Sequence, residues 1–171
     1  MQSGGALCLK IPYKRIEYAI LSNDWCKMAF VNKSVLLEYS AEQMFALVDN
    51  IEAYPTFLPW CGDVEVKRSD DNGEVLARIT IDFNGFRKSF TTKNANRYPE
   101  AISMSLVEGP FNKLQGGWTF KPLRDNACKV ELNLEYDMQG HVLAALIEQV
   151  FGAIAVSMID AFCRRAKEIY G

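Results

Sequence analysis

From Cys128 to Met138 every second residue is apolar: Cys128, Val130, Leu132, Leu134, Tyr136 and Met138 alternate with Lys129, Glu131, Asn133, Glu135 and Asp137. A period of two over this length specifies a strand with one buried and one wetted face. The pattern then switches. Leu143, Ile147, Val150, Phe151, Ile154, Met158, Phe162 and Ile169 recur at spacings of three and four, which predicts a helix from about His141 to Tyr170. About 30 residues at 1.5 Å each make a rod of roughly 45 Å. Such a rod needs a long apolar surface to lie on, and the sheet is the only candidate that the sequence offers.

The remainder of the chain supplies that sheet. Lys33 to Tyr39 reads as a strand with Val35, Leu37 and Tyr39 on one face. Ser40-Ala41-Glu42-Gln43 is a capping box, in which the Ser hydroxyl and the Gln amide each satisfy a backbone N–H of the first helical turn. Met44, Phe45, Leu47, Val48 and Ile51 form that helix's apolar stripe, and Pro55 predicts that helical structure lapses before it. Val75, Ala77, Ile79, Ile81 and Phe83 alternate again, followed by strands near 86–97, 102–107 and 117–123. Asp70-Asp71-Asn72-Gly73, Asn84-Gly85 and Arg124-Asp125-Asn126 read as turns, and connections this short predict an antiparallel meander. Gly116-Gly117 predicts a bulge or a sharp bend. The fold class is therefore α+β, one curved antiparallel sheet against one long helix. Residues 1–27 break the strand pattern and are expected to be an extension outside a domain spanning 28–171, with Met28 a candidate initiator.

Several function classes recede. A net charge of −2 gives no general attraction to nucleic acid, and DNA binding is not expected. Five scattered cysteines include no Cys-x-x-Cys pair, and the single His141 is remote from all of them, so neither a zinc site nor a disulfide framework is predicted. Cys61 beside Trp60 is a candidate reactive thiol, though no base adjoins it in sequence. No run approaches the roughly 20 apolar residues needed to cross a bilayer. Lys10, Lys14, Arg15 and Glu17 interrupt the first segment, which is unlike an export signal. The expected location is cytoplasmic, with peripheral contact at the inner membrane.

Two segments run against the rule that loops are polar. Tyr54-Pro55-Thr56-Phe57-Leu58-Pro59-Trp60 and Glu108-Gly109-Pro110-Phe111-Asn112-Lys113-Leu114 set aromatic and aliphatic side chains beside Pro or Gly. Apolar loops must tuck inward, close a cavity, or meet a partner or lipid. The residues leave open whether the interior is packed or hollow. These two motifs, with Gly116-Gly117-Trp118-Thr119-Phe120 and the long last helix, make the chain resemble the START-like coenzyme Q-binding family. Its bacterial branch carries polyketide cyclase/dehydrase or lipid-transport labels, and the nearest branch within it is that of the ribosome association toxins. The resemblance spans about residues 29–170.

The resemblance implies a helix-grip fold with a deep apolar cavity, and non-enzymatic binding of an isoprenoid, foremost ubiquinone, as a carrier supporting respiration. Ubiquinone would be cargo, and no cofactor is expected. The implied partners are a prenyl lipid, a membrane surface met transiently, and the large ribosomal subunit. The expected ligand sleeve comprises Phe57, Leu58, Trp60, Phe83, Phe90, Phe111, Leu114, Trp118, Phe120, Phe151, Ile154, Met158 and Phe162, with Lys113 a candidate for the head group. Phe111→Asp or Leu114→Asp is expected to abolish retention with the fold intact. The alternative is a toxin that binds the large subunit and blocks translation initiation. It would need basic residues, and Arg87 and Lys93 share a strand face opposite Lys88, with Arg97 following. Catalysis has thinner support, in Asp63 and Glu65 on one strand face and in His141 at the start of the last helix.

Overall fold

The computed structural model describes residues 28–69, 73–138 and 144–171. Strand β1 (Ala29–Leu37) leads into α1 (Ala41–Asp49), a 3-10 turn (Ile51–Ala53) and the short α2 (Tyr54–Phe57). Six strands follow: β2 (Cys61–Arg68), β3 (Glu74–Phe83), β4 (Phe86–Arg97), β5 (Ala101–Glu108), β6 (Phe111–Arg124) and β7 (Ala127–Met138). Helix α3 (Ala144–Tyr170) ends the chain. The sheet order is β1-β7-β6-β5-β4-β3-β2, every neighbouring pair antiparallel. The meander is as expected, with β1 added to the far side of β7. The turn expected at 70–72, His141, Leu143, the side chain of Ile147 and the extension 1–27 lie outside the described residues.

The inner face of the sheet follows from register. Val31 pairs with Leu134, Leu134 with Gly116 and Leu132 with Trp118. Val31, Leu132, Leu134 and Trp118 are all buried. The capping box forms as the sequence requires: the Gln43 amide donates to Ser40 Oγ (3.2 Å) and the Ser40 amide to Gln43 Oε1 (2.9 Å). Asn84 and Gly85, with φ of 50° and 79°, make the two-residue turn between β3 and β4, the backbone twist that matches paired strands.

Three local expectations need correction. Pro55 does not end helical structure. It lies in the first turn of α2, where a missing N–H costs nothing because that donor has no intrahelical partner. The segment Phe111–Leu114 is not a loop: only Gly109 and Pro110 turn, and β6 begins at Phe111. The bulge is displaced from Gly116-Gly117, where pairing is continuous, to the register shifts at Phe111/Lys113 and Pro122/Arg124. The glycines serve a different end. Gly116 has φ of 144°, and a Cβ there would strike the Asn133 carbonyl oxygen of β7. Finally, Ile169 is 49% exposed. Helix α3 buries Ile159, Ala161 and Ala166 instead, and Tyr170 closes onto α1 by donating to the Gln43 carbonyl (3.2 Å).

Candidate functional site

Helix α3 lies on the inner face and meets two separate aromatic clusters. Towards its beginning, Phe151 packs edge-to-face on Phe111 of β6 (5.1 Å), Tyr136 of β7 (4.7 Å) and Phe90 of β4 (6.3 Å). Further along, Phe162 meets Tyr54 and Phe57 of α2 (5.4 and 5.2 Å) and Trp118 of β6 (5.2 Å). Edge-to-face pairs of this kind each add about 0.5–1.5 kcal/mol beyond simple burial. The β6 bulge explains how Phe111 and Leu114, three residues apart, both face inward: the extra residue between them resets the alternation.

The expected sleeve is brought together, but as packed core. Leu58, Trp60, Phe90, Phe111, Leu114, Trp118, Phe120, Phe151, Ile154 and Phe162 are buried, while Phe57, Phe83 and Met158 are partly buried against them. Phe120 belongs to a third group, edge-to-face against Phe45 (5.5 Å). An apolar void of about 10 Å³ remains within the first cluster, lined by Ile81, Phe86, Lys88, Phe90, Pro110, Phe111, Val150 and Phe151. That is room for about one water. The large apolar side chains of these two segments, Tyr54, Leu58, Trp60, Phe111 and Leu114, are thus interior. With Phe111 2% and Leu114 5% exposed, an aspartate at either would place an unpaired carboxylate in the core, a change that disrupts folding. These variants cannot serve as probes of binding with an intact fold.

Lys113 is engaged elsewhere. Its ammonium pairs with Glu135 Oε1 at 2.8 Å, and that hydrogen bond, foremost among the influences on it, holds the Glu135 carboxyl below its usual range. The cation beside the void is Lys88, on the face of β4 opposite Arg87 and Lys93. A signal was present: Phe86, Lys88 and Phe90 share one strand parity, so a lysine accompanies the aromatic rings.

Several outward-facing cations are matched with carboxylates. Arg87 pairs with Asp82 (2.6 Å), Lys93 with Glu74 (2.5 Å) and Arg97 with Glu100 (2.8 Å). Arg165 pairs with Glu168 (3.0 Å) and lies over the Phe57 ring. Such exposed pairs contribute little stability, but they neutralise the patch expected to meet RNA. Asp63 and Glu65 share a face, as expected. It is the wetted one, for Glu65 pairs across to Arg78 and Asp63 to Thr80, residues that alternate with the buried Ala77, Ile79 and Ile81. Burial pushes the Cys61 and Cys128 thiols up to about 11 and raises the Tyr54 hydroxyl well above its ordinary value. Cys61 is therefore a protonated core thiol at neutral pH and not a nucleophile.

This architecture has known counterparts. The family described as polyketide cyclase / dehydrase and lipid transport matches residues 37–163. The chain belongs to that family. It is 41% identical over 145 residues to the ribosome association toxin RatA of Vibrio cholerae, an overlap of 84% of this chain and 99% of that one. It is 27% identical over 138 residues to the mitochondrial coenzyme Q-binding protein COQ10 of Dictyostelium discoideum, covering 79% of this chain and 67% of that one. Among solved structures, an aromatase/cyclase from a Streptomyces species superposes with a TM-score of 0.73 at 15% identity, over 82% of this chain and 94% of that one. The expected START-like helix-grip fold is the fold of this family member. Its relatives' names span cyclases, a quinone binder and ribosome-directed toxins.

Proposed function

We propose that this chain binds a hydrophobic isoprenoid, foremost ubiquinone, and carries it without chemical change. The observation that carries the reading is the aromatic inner face closed by α3 around an apolar void with a lysine at its edge. The name of the Dictyostelium relative and the family's lipid-transport description support the choice of ligand. Transfer of a prenyl tail from water to such an interior gains about 0.8 kcal/mol per buried CH₂. Ligand pockets usually enclose about 300–1,000 Å³, so uptake requires the rings of Phe90, Phe111 and Phe151 to part. The non-enzymatic part of the reading is supported by the interior groups Tyr54, Cys61 and Cys128, all held protonated and neutral. A membrane surface would be met transiently: among the described residues no helix is long and apolar enough to cross a membrane.

The test is transfer from ubiquinone-loaded vesicles, followed by flotation and quantification of quinone in the vesicle-free protein. About one quinone per chain is expected, and protein that emerges without quinone overturns the proposal.

A second reading has its own observation, the 41% identity across nearly the whole of the Vibrio cholerae toxin. On that reading the chain binds the large ribosomal subunit and inhibits initiation. Cosedimentation should then fall with salt and be lost on Arg87→Glu with Lys93→Glu. No cosedimentation even at low salt would rule it out.

A further inference from the structure

Lys88 is a cation on the inner, apolar face of the sheet. It projects from the same face as Phe86 and Phe90, and its cross-strand partner is Ile81, so the side chains around it on β3 and β4 are apolar. The next residue back, Arg87, points the other way and is neutralised by Asp82 at 2.6 Å. Lys93, Arg97 and Lys113 likewise have carboxylates at 2.5–2.8 Å. Among the described residues Lys88 has none. It is exposed, yet its stem lines the apolar void beside Phe90, Phe111 and Phe151. A lysine that lays its methylenes along apolar surface and keeps its ammonium at the water boundary is snorkelling. The charge therefore sits where the head of an inserted tail would stop.

We infer that Lys88 is the head-group residue of the apolar site, and that it makes the site prefer amphiphiles with an anionic head over neutral ones of equal tail. The inference rests on the apolar-binding reading and extends it to a further ligand class. A quinone carbonyl would accept one hydrogen bond from the ammonium. A carboxylate or a phosphate adds full charge at the same place, and charge-assisted hydrogen bonds are about twice as strong as neutral ones. The shared chemistry is an anionic oxygen on an aliphatic tail, whether from a free fatty acid or from a phospholipid.

Binding of oleate and methyl oleate to the full chain, with Lys88→Gln and Lys88→Arg alongside, tests this directly. Oleate should bind about tenfold more tightly than its ester. Lys88→Gln should erase that ratio by weakening oleate alone, and Lys88→Arg should keep it. Lipid extracted from phosphatidylglycerol and phosphatidylcholine vesicles gives the phospholipid arm, again compared with Lys88→Gln. Selectivity for the anion in either arm, lost in Lys88→Gln, supports the inference and identifies the source. Equal binding of charged and neutral partners in both arms overturns it while leaving the apolar site standing. Selectivity that survives in Lys88→Gln also overturns it. Failure of every tail to bind, methyl oleate and ubiquinone included, overturns the apolar site and this inference together.

Discussion

The two aromatic clusters along α3 use similar parts to opposite ends. Around Phe162, rings from α2 and β6 close onto the helix, and polar contacts surround them. The Tyr54 hydroxyl donates to the Val48 carbonyl at 2.6 Å, Arg165 covers Phe57, and Arg68 ties Asp49 and Glu52 to the edge of β2 at 3.2 and 3.1 Å. Around Phe151, rings from β4, β6 and β7 leave a small void, and its one charged neighbour, Lys88, has no carboxylate among the described residues. Apolar content does not separate the two. The difference lies at the margin: mostly paired groups around Phe162, with the Arg165 Nε an exception, against an ammonium beside Phe151 that is unpaired among the described residues. A largely paired margin anchors the helix. An unpaired cation can receive a ligand.

The largest expected effect is at the anchored end. Phe162→Ala should cost about 3–5 kcal/mol in chemical denaturation, whereas Phe151→Ala should fall at least about 1 kcal/mol short of it because its neighbourhood is already incompletely filled. Equal losses would erase the comparison. Next in size is Tyr54→Phe, which strands the Val48 carbonyl in the core and should cost about 1–3 kcal/mol. Ser40→Ala, which removes the cap that starts α1, should cost about 1 kcal/mol. Lys88→Gln should change stability by no more than about 0.5 kcal/mol, since the folded chain gives it no ion pair to lose.

The cysteines sharpen the same contrast through pH. Cys61 and Cys128 are displaced from 9.0 to about 11 by burial, so the folded chain holds these protons more tightly than the unfolded one. Their contribution to stability is complete below about pH 9 and is lost as pH rises towards about 11. At pH 8 a two-unit displacement leaves about a hundredfold less thiolate. Alkylation of both thiols should be slower in the native chain than in denaturant by at least that factor. Native rates equal to those in denaturant would contradict the buried, protonated state.

Much of this was legible in the chain. The alternation from Cys128 to Tyr136, the box at Ser40 and the helical spacing from Val150 to Phe162 each state a local rule that packing then obeys. Failures came where two rules met. Gly109-Pro110 gave Phe111 the look of a loop residue, and the bulge that brings Phe111 and Leu114 to one face hides inside an odd spacing. Pro55 resembles a helix terminator in sequence because its position in the first turn is set by α2 itself. Lys113 looked free because Glu135, its partner, lies on another strand. The candidate ligand residues were legible as apolar and inward. How tightly they fill the interior was not, because a filled core and a closed pocket have the same composition.

The most direct measurement is organic extraction and mass spectrometry of protein purified without detergent from its own host. The account predicts a prenyl lipid, foremost ubiquinone, near one per chain. An empty extract from protein that also takes up no added quinone would contradict it, leaving the aromatic interior as core and the ribosome as the partner to pursue.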